Sequence, residues 1–271
     1  MPVPTLLEHP SVLRYLFHPR RETAFDGLGK AQVVRLPVGP QLALGGRLFV
    51  SHAEAPTLLF WHGNGEIAAD YDDLAPLYTG MGIHFLAMDY RGYGISDGQP
   101  TGTALLADAV AIYPQVRSLL AAQGIRSSRL YVMGRSLGSA AAIETARHAQ
   151  GEIAGLIIES GFAFTIPLLE RLGALSLSGV GEEQGFGNHA KMAHLPMPVL
   201  VIHGEWDEII PLEEGHALYE QVAHRHKRWL PIAESGHNDL MMVGQRAYFE
   251  AIRNFILAGD AGDSPPGGTG D

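Results

Sequence analysis

The order in which two kinds of segment alternate constrains this chain more than any other feature. Short apolar or β-branched runs recur at 32–36, 41–50, 57–61, 83–89, 129–133, 155–159, 198–202 and 227–232, each with the length and character of a strand. From the third onward, stretches with helical spacing separate them, at 67–80, 103–123, 137–150, 212–224 and 245–257. Strand alternating with helix requires right-handed crossovers, and so a parallel sheet covered by helices on both faces. The first two runs are joined only by Pro37-Val38-Gly39-Pro40. That link is too short for a crossover, so these runs are expected to form an antiparallel hairpin at one edge. The predicted fold class is α/β, with an eight-stranded, mostly parallel sheet in one domain spanning 31–258.

Three stretches fall outside that rhythm. Between the sixth and seventh strands the connection is longer than a crossover needs, and it carries a leucine-rich piece (166–177) and a glycine-rich piece (179–187). This insertion, 163–197, has the composition of a small lid. The tail 259–271, rich in Gly and Pro, has nothing to bury and is expected to be disordered. Residues 1–30 read as an N-terminal helical segment. Its Leu6, Leu7, Val12, Leu13, Leu16 and Phe17 are expected to coat the body, with contact to a membrane surface through Arg14, Arg20 and Arg21 as the less favoured alternative. The start lacks the charged and apolar regions of a secretory signal, and no run reaches about 18 consecutive apolar residues. The expectation is therefore a cytoplasmic protein.

Composition narrows the chemistry. With no cysteine, a disulfide framework, a thiolate metal site and a cysteine nucleophile are all excluded. Nineteen Lys and Arg against 29 Asp and Glu give a formal charge of -10 without a basic run, which sets nucleic acid aside as a partner.

Gly-x-Ser-x-Gly occurs twice, around Ser96 and around Ser136. A nucleophile elbow needs its serine on a strained turn between a strand and a helix, flanked by glycines that let neighbouring chains approach. Ser136 follows the strand-like Leu130–Met133 run and opens a small, helix-favouring stretch from Leu137, whereas Ser96 runs into the turn Asp97-Gly98-Gln99-Pro100. Ser136 is the candidate nucleophile and Ser96 reads as loop structure.

A serine hydroxyl needs a general base, and the base needs a group that fixes its tautomer. Of the thirteen histidines, His237 lies in the loop after the last strand and is the candidate base; His62 and His203 are its rivals, each in a His-Gly pair after a strand. Asp207, in the loop after the seventh strand, is the candidate orienting carboxylate, with Glu205 and Glu208 as competitors. The oxyanion would take donors from the amide of Leu137, after the serine, and from Asn64 in the glycine-rich turn His62-Gly63-Asn64-Gly65. Phe162, Phe164, Leu168, Leu169, Leu172 and Ile209 are candidates for an apolar substrate pocket. Two decoys are set aside: Gly92–Gly98 mimics a dinucleotide fingerprint with its third glycine misplaced, and His224 with His226 is a poor metal pair.

Taken together, His62–Gly65, Asp89-Tyr90-Arg91-Gly92-Tyr93-Gly94, Gly134–Gly138, His203–Asp207 and Ser235–His237 resemble, in this order, the α/β-hydrolase superfamily. The likeness is to its small-lid serine hydrolases, which include lipase-like, aminopeptidase-like and protein-depalmitoylase-like members. The resemblance implies a Ser136–Asp207–His237 triad, no cofactor and no metal, and a small-molecule acyl substrate. The expected activity is cleavage of a carboxylic ester through an acyl-enzyme. Amide or thioester cleavage on the same triad, and a non-catalytic binding module that kept the fold, are the alternatives.

Overall fold

The computed structural model describes residues 5–23, 31–127, 129–174 and 179–257. Eight strands form one sheet: β1 (Gln32–Gly39), β2 (Leu42–Phe49), β3 (Thr57–Trp61), β4 (His84–Met88), β5 (Leu130–Arg135), β6 (Gly155–Glu159), β7 (Val199–Gly204) and β8 (Lys227–Ile232). Their spatial order is β1-β2-β4-β3-β5-β6-β7-β8. β2 runs antiparallel to both neighbours and every other pairing is parallel.

Strands β3 to β7 are buried along their whole length. This is why they read as continuous apolar runs rather than alternating ones. Their side chains divide between two cores with the period of two that a strand imposes. Leu59, Trp61, Leu156 and Ile158 enter one core, with residues of α3 (Gly102–Ala122) and α4 (Gly138–Ala149); Leu58, Phe60 and Ile157 enter the other, with residues of α9 (Gln245–Leu257).

The edge hairpin forms, but its turn falls at Pro40 and Gln41 rather than across 37–40. Pro37 stays within β1 because an edge strand tolerates its missing N–H, and an irregular register between Pro37 and Gly39 absorbs the misfit. The expected helix 67–80 is broken into a 3-10 turn, Ala68–Tyr71, and α2 (Ala75–Gly80). Asp70 accepts the Ile67 N–H at 3.0 Å and closes the first turn, and Pro76 starts the second helix. By length and mean hydropathy α3 is long and apolar enough to cross a membrane, although Asp108, Gln115 and Arg117 interrupt it, so that it is not continuously apolar. Here its Leu105, Ala109, Ile112 and Val116 face belongs to the core.

The insertion contains α5 (Thr165–Arg171), a 3-10 turn (Glu182–Gln184) and α6 (Asn188–Met192). Two carboxylates staple it. Glu182 accepts the Thr165 and Ile166 N–H groups at 2.8 and 2.7 Å, and Glu214 accepts those of Ala163 and Phe164 at 2.9 and 3.0 Å. The N-terminal segment forms a 3-10 turn (Leu6–Glu8) and α1 (Pro10–Leu16), and Leu6, Leu7, Val12, Leu16 and Phe17 are buried against the body. The tail 259–271 lies outside the described residues, as do 24–30 and 175–178. The helices that complete the body are α7 (Leu212–Gln221) and α8 (Leu240–Val243).

Candidate active site

Ser136 sits between β5 and α4 with φ at +53°, in the left-handed region that a non-glycine residue enters only under local constraint. The constraint is visible. Its N–H donates to the Glu159 carbonyl at 2.9 Å, and its carbonyl accepts from the Ser139 N–H and hydroxyl at 3.0 and 2.7 Å. The flanking glycines are required by packing: a Cβ on Gly134 would lie 2.7 Å from the Ala142 side chain, and one on Gly138 would lie 2.7 Å from the His62 carbonyl oxygen. The N-terminus of α4, with its positive dipole end, opens immediately beyond the serine.

His237 follows β8 in a tight loop in which the Gly236 N–H donates to Asp239 at 2.7 Å. Its Nε2 lies 3.0 Å from the Ser136 hydroxyl and its Nδ1 lies 2.7 Å from Asp207 Oδ2. The structure therefore brings together the three residues separated by up to 101 positions in the chain. The loops after β7 and β8 approach closely enough that a Cβ on Gly204 would lie 2.7 Å from the Gly236 carbonyl.

Asp207 is buried, while its competitors Glu205 and Glu208 are exposed. Its second oxygen accepts the Ile209 and Ile210 N–H groups at 3.0 and 2.8 Å. Burial pushes its carboxyl up, but hydrogen bonds from His203 and His237, the charge of His237 and the Ile210 N–H outweigh that and hold it well below the usual carboxylate range. The two rival histidines serve as supports. His203 Nε2 lies 2.7 Å from the Ile210 carbonyl and 3.4 Å from Asp207, so it braces the carboxylate loop. His62 is fully buried, with Nδ1 at 2.8 Å from the Gly63 carbonyl and its ring against Tyr90 and Tyr93. Ser96 is also fully buried: its hydroxyl donates to the Asp89 carbonyl at 2.9 Å and accepts the Gly45 N–H at 2.8 Å.

A cavity of about 200 Å³ opens over Ser136 and His237. Asn64 and Leu137 lie on it, and Asn64 Oδ1 accepts both the His18 N–H and the Tyr93 hydroxyl at 2.8 Å. Of the expected pocket residues, Leu168, Leu172 and Ile209 line the cavity. Phe162, Phe164 and Leu169 do not, which corrects the sequence reading. Phe162 turns into the core edge-on to Phe186, Phe164 stacks on His189, and Leu169 is fully buried in the core cluster. Leu16, Arg135, Ile210 and Asn238 also line the cavity wall, beyond the residues expected from the sequence. Arg135 and Asn238 adjoin Ser136 and His237 in the chain, a signal that was there to be used.

Arg135 is buried directly behind the serine. It pairs with Glu66, lies 3.2 Å from Glu159, and donates to the His237 carbonyl and to Asn238 Oδ1 at 3.0 and 2.9 Å. Glu66 in turn accepts the Gly63 N–H at 2.6 Å and the Tyr71 hydroxyl at 2.7 Å. Burial pushes the Glu159 carboxyl up against the opposing pull of Arg135, and the Tyr248 hydroxyl donates to it at 2.6 Å. One guanidinium thus joins the loops after β3 and β8 and the end of β6 to the elbow. Among the described residues no group of three or more His, Asp or Glu side chains is gathered as a metal site needs.

Residues 53–178 match the family model described as serine aminopeptidase, S33. Alpha/beta hydrolase domain-containing protein 17B of Homo sapiens is 32% identical over 208 residues, covering 74% of this chain and 66% of its own length. The aho-3 protein of Caenorhabditis elegans, also an alpha/beta hydrolase domain-containing protein, is 30% identical over 208 residues, covering 74% of this chain and 57% of its own. The chain thus spans just under two thirds of the first of these relatives and less of the second. Among solved structures, an esterase of Pyrococcus furiosus superposes with a TM-score of 0.72 at 19% identity, over 90% of this chain and 98% of that one. A monoacylglycerol lipase of Paleococcus ferrophilus superposes at 0.62 and 18% identity, over 80% and 99%. The family model, the sequence likeness of the curated relatives and the fold shared with the solved structures agree: the chain belongs to the α/β-hydrolase superfamily.

Proposed function

We propose that the protein is a serine hydrolase that cleaves a carboxylic ester of a largely apolar acyl group through an acyl-enzyme. The observation that carries this reading is the relay from Ser136 to His237 to Asp207, at 3.0 and 2.7 Å, on the wall of an apolar cavity. Ser136 Oγ attacks the ester carbonyl while His237 Nε2 takes its proton, and Asp207 accepts the Nδ1–H and stabilises the imidazolium that forms. The amides of Leu137 and Asn64 receive the oxyanion. Collapse expels the alcohol, protonated by His237, and water activated by the same imidazole then releases the acid.

The cavity lining supports an ester over an aminopeptidase substrate. Leu16, Leu168, Leu172, Ile209 and Ile210 give it an apolar wall, and its single charged side chain is the cation Arg135. A free α-ammonium group needs a carboxylate partner, and among the described residues none lines this cavity. Hydrolysis of matched p-nitrophenyl esters, thioesters and aminoacyl anilides tests the reading. The expected order is esters first, with activity lost in Asp207→Ala; preference for aminoacyl anilides would overturn the substrate class.

A further inference from the structure

Helix α1 has seven residues, too short to be stable alone, so its position is set by what holds it. The contacts that hold it and the chain after it converge on the catalytic end of the sheet. Leu7 packs where a Cβ on Gly102 would come within 2.8 Å of its side chain. The His18 N–H donates to Asn64 Oδ1 at 2.8 Å, and Arg20 Nε donates to the Gly65 carbonyl at 3.3 Å while its guanidinium pairs with Asp70. Beyond that, the Gly94 N–H donates to the Arg20 carbonyl at 2.8 Å, Arg21 donates to the Ser96 carbonyl, and Glu22 pairs with Arg47. Two of these ties land on Asn64 and Gly65, the loop that offers the second oxyanion donor.

Within α1, Val12 and Leu16 are each 1% exposed and share one face, yet only Leu16 reaches the cavity. There it shares the wall with Leu168 of α5 and with Leu172, and α1 packs directly on α5. Asn64 Oδ1 has both its acceptor positions filled, by the His18 N–H and the Tyr93 hydroxyl, so the side chain and the backbone it hangs from are fixed from outside the cavity.

We infer that residues 5–23 are a working part of the active site: Leu16 limits the length of acyl group the cavity accepts, and the His18 backbone N–H is a positioning group that holds Asn64 at the oxyanion. This rests on the acyl-enzyme reading above. Neither role is open to the α/β core alone, because both groups precede the first strand. The class of substrate that follows is an ester whose acyl chain ends against Leu16.

The test uses the full chain and p-nitrophenyl esters from C2 to C12, with kcat and KM measured for Leu16→Ala, Leu16→Trp and Val12→Ala. Each methylene newly admitted to an apolar site is worth about fourfold in kcat/KM. Leu16→Ala is expected to raise the C10 to C4 ratio of kcat/KM by about tenfold, mainly through KM, and Leu16→Trp to lower it. Val12→Ala, which truncates the same face away from the cavity, separates loss of packing from loss of the wall, and its ratio is expected to stay within twofold of wild type. A ratio unmoved in both Leu16 variants, or moved equally in Val12→Ala, overturns the assignment of Leu16. For His18, proline deletes the N–H and alanine keeps it. The kcat of His18→Pro is expected to be about tenfold below that of His18→Ala at every chain length, with KM within twofold; equal kcat overturns the clamp. Binding of C4 to C12 fatty acids to Ser136→Ala, with and without Leu16→Ala, reads the wall without hydrolysis. A wild type that cleaves no ester and takes no phosphonate removes the reaction the clamp serves and overturns it, while the binding profile still decides the wall.

Discussion

Replacing Gly138 by alanine isolates the contact on which the geometry of the oxyanion pocket depends. The added methyl would lie 2.7 Å from the His62 carbonyl oxygen and closer still to that of Trp61, about 1 Å inside van der Waals contact. Both obstacles are backbone, so no rotamer change relieves them. The end of β3 and the His62–Gly65 loop must retreat from the elbow by about 1 Å, against the parallel pairing of Trp61 with Gly134. Overpacking of this kind costs about 1–3 kcal/mol of stability. Displacing a donor by about 1 Å costs on the order of 100-fold in turnover. Urea unfolding with an unchanged slope and kcat on a C4 ester are the two readouts. Gly80→Ala is the control, since nothing lies within 4 Å of the added methyl and its backbone is not left-handed. That variant is expected to stay within about 1 kcal/mol of wild type. If Gly138→Ala keeps both stability and kcat, the close approach of β3 to the elbow does not set the pocket.

Three further outcomes follow from individual side chains. Arg135→Lys keeps the charge but not the fork that reaches His237, Asn238, Glu66 and Glu159 at once, so kcat should fall by about 10- to 100-fold with KM within threefold; steady-state kinetics showing a KM effect alone would contradict the positioning role. Ser96→Ala leaves the buried Gly45 N–H without its acceptor and should cost about 1–3 kcal/mol in urea unfolding, while kcat stays within twofold. The Asp207 carboxyl, held below its usual range in the fold, stabilises the protein above the ordinary Asp value of about 3.9 and loses that contribution only as pH falls through the folded value. The difference in Tm between wild type and Asp207→Asn, followed by calorimetry, should therefore be level from about pH 8 to 5 and shrink only below about pH 4; a difference that grows on acidification would show the sign to be wrong.

The sheet was legible because its strands are buried on both faces: runs such as Leu58–Trp61 and Leu156–Ile158 carry their own signal without reference to partners. The meeting of Ser136, Asp207 and His237 was legible for a related reason, since each sits in the segment that follows a parallel strand, and the order of strands along the chain places those segments at one end of the sheet. What could not be read is which way an apolar side chain turns once several elements meet. Phe162 and Phe164 look like pocket residues by type, yet Phe186 and His189 claim them from 20 or more positions away. Leu16 looks like any residue on a short amphipathic helix, and only the docking of α1 on α5 brings it to the cavity. The break of the 67–80 stretch at Asp70 and Pro76 is local and could have been found, because a proline starts a helix more readily than it continues one.

An activated Ser136 is open to intact-mass detection of a covalent adduct with a fluorophosphonate. One adduct is expected on the wild type, none on Ser136→Ala and full labelling of Ser96→Ala. An adduct that survives in Ser136→Ala, or a wild type that remains unlabelled at millimolar reagent, would contradict an activated Ser136.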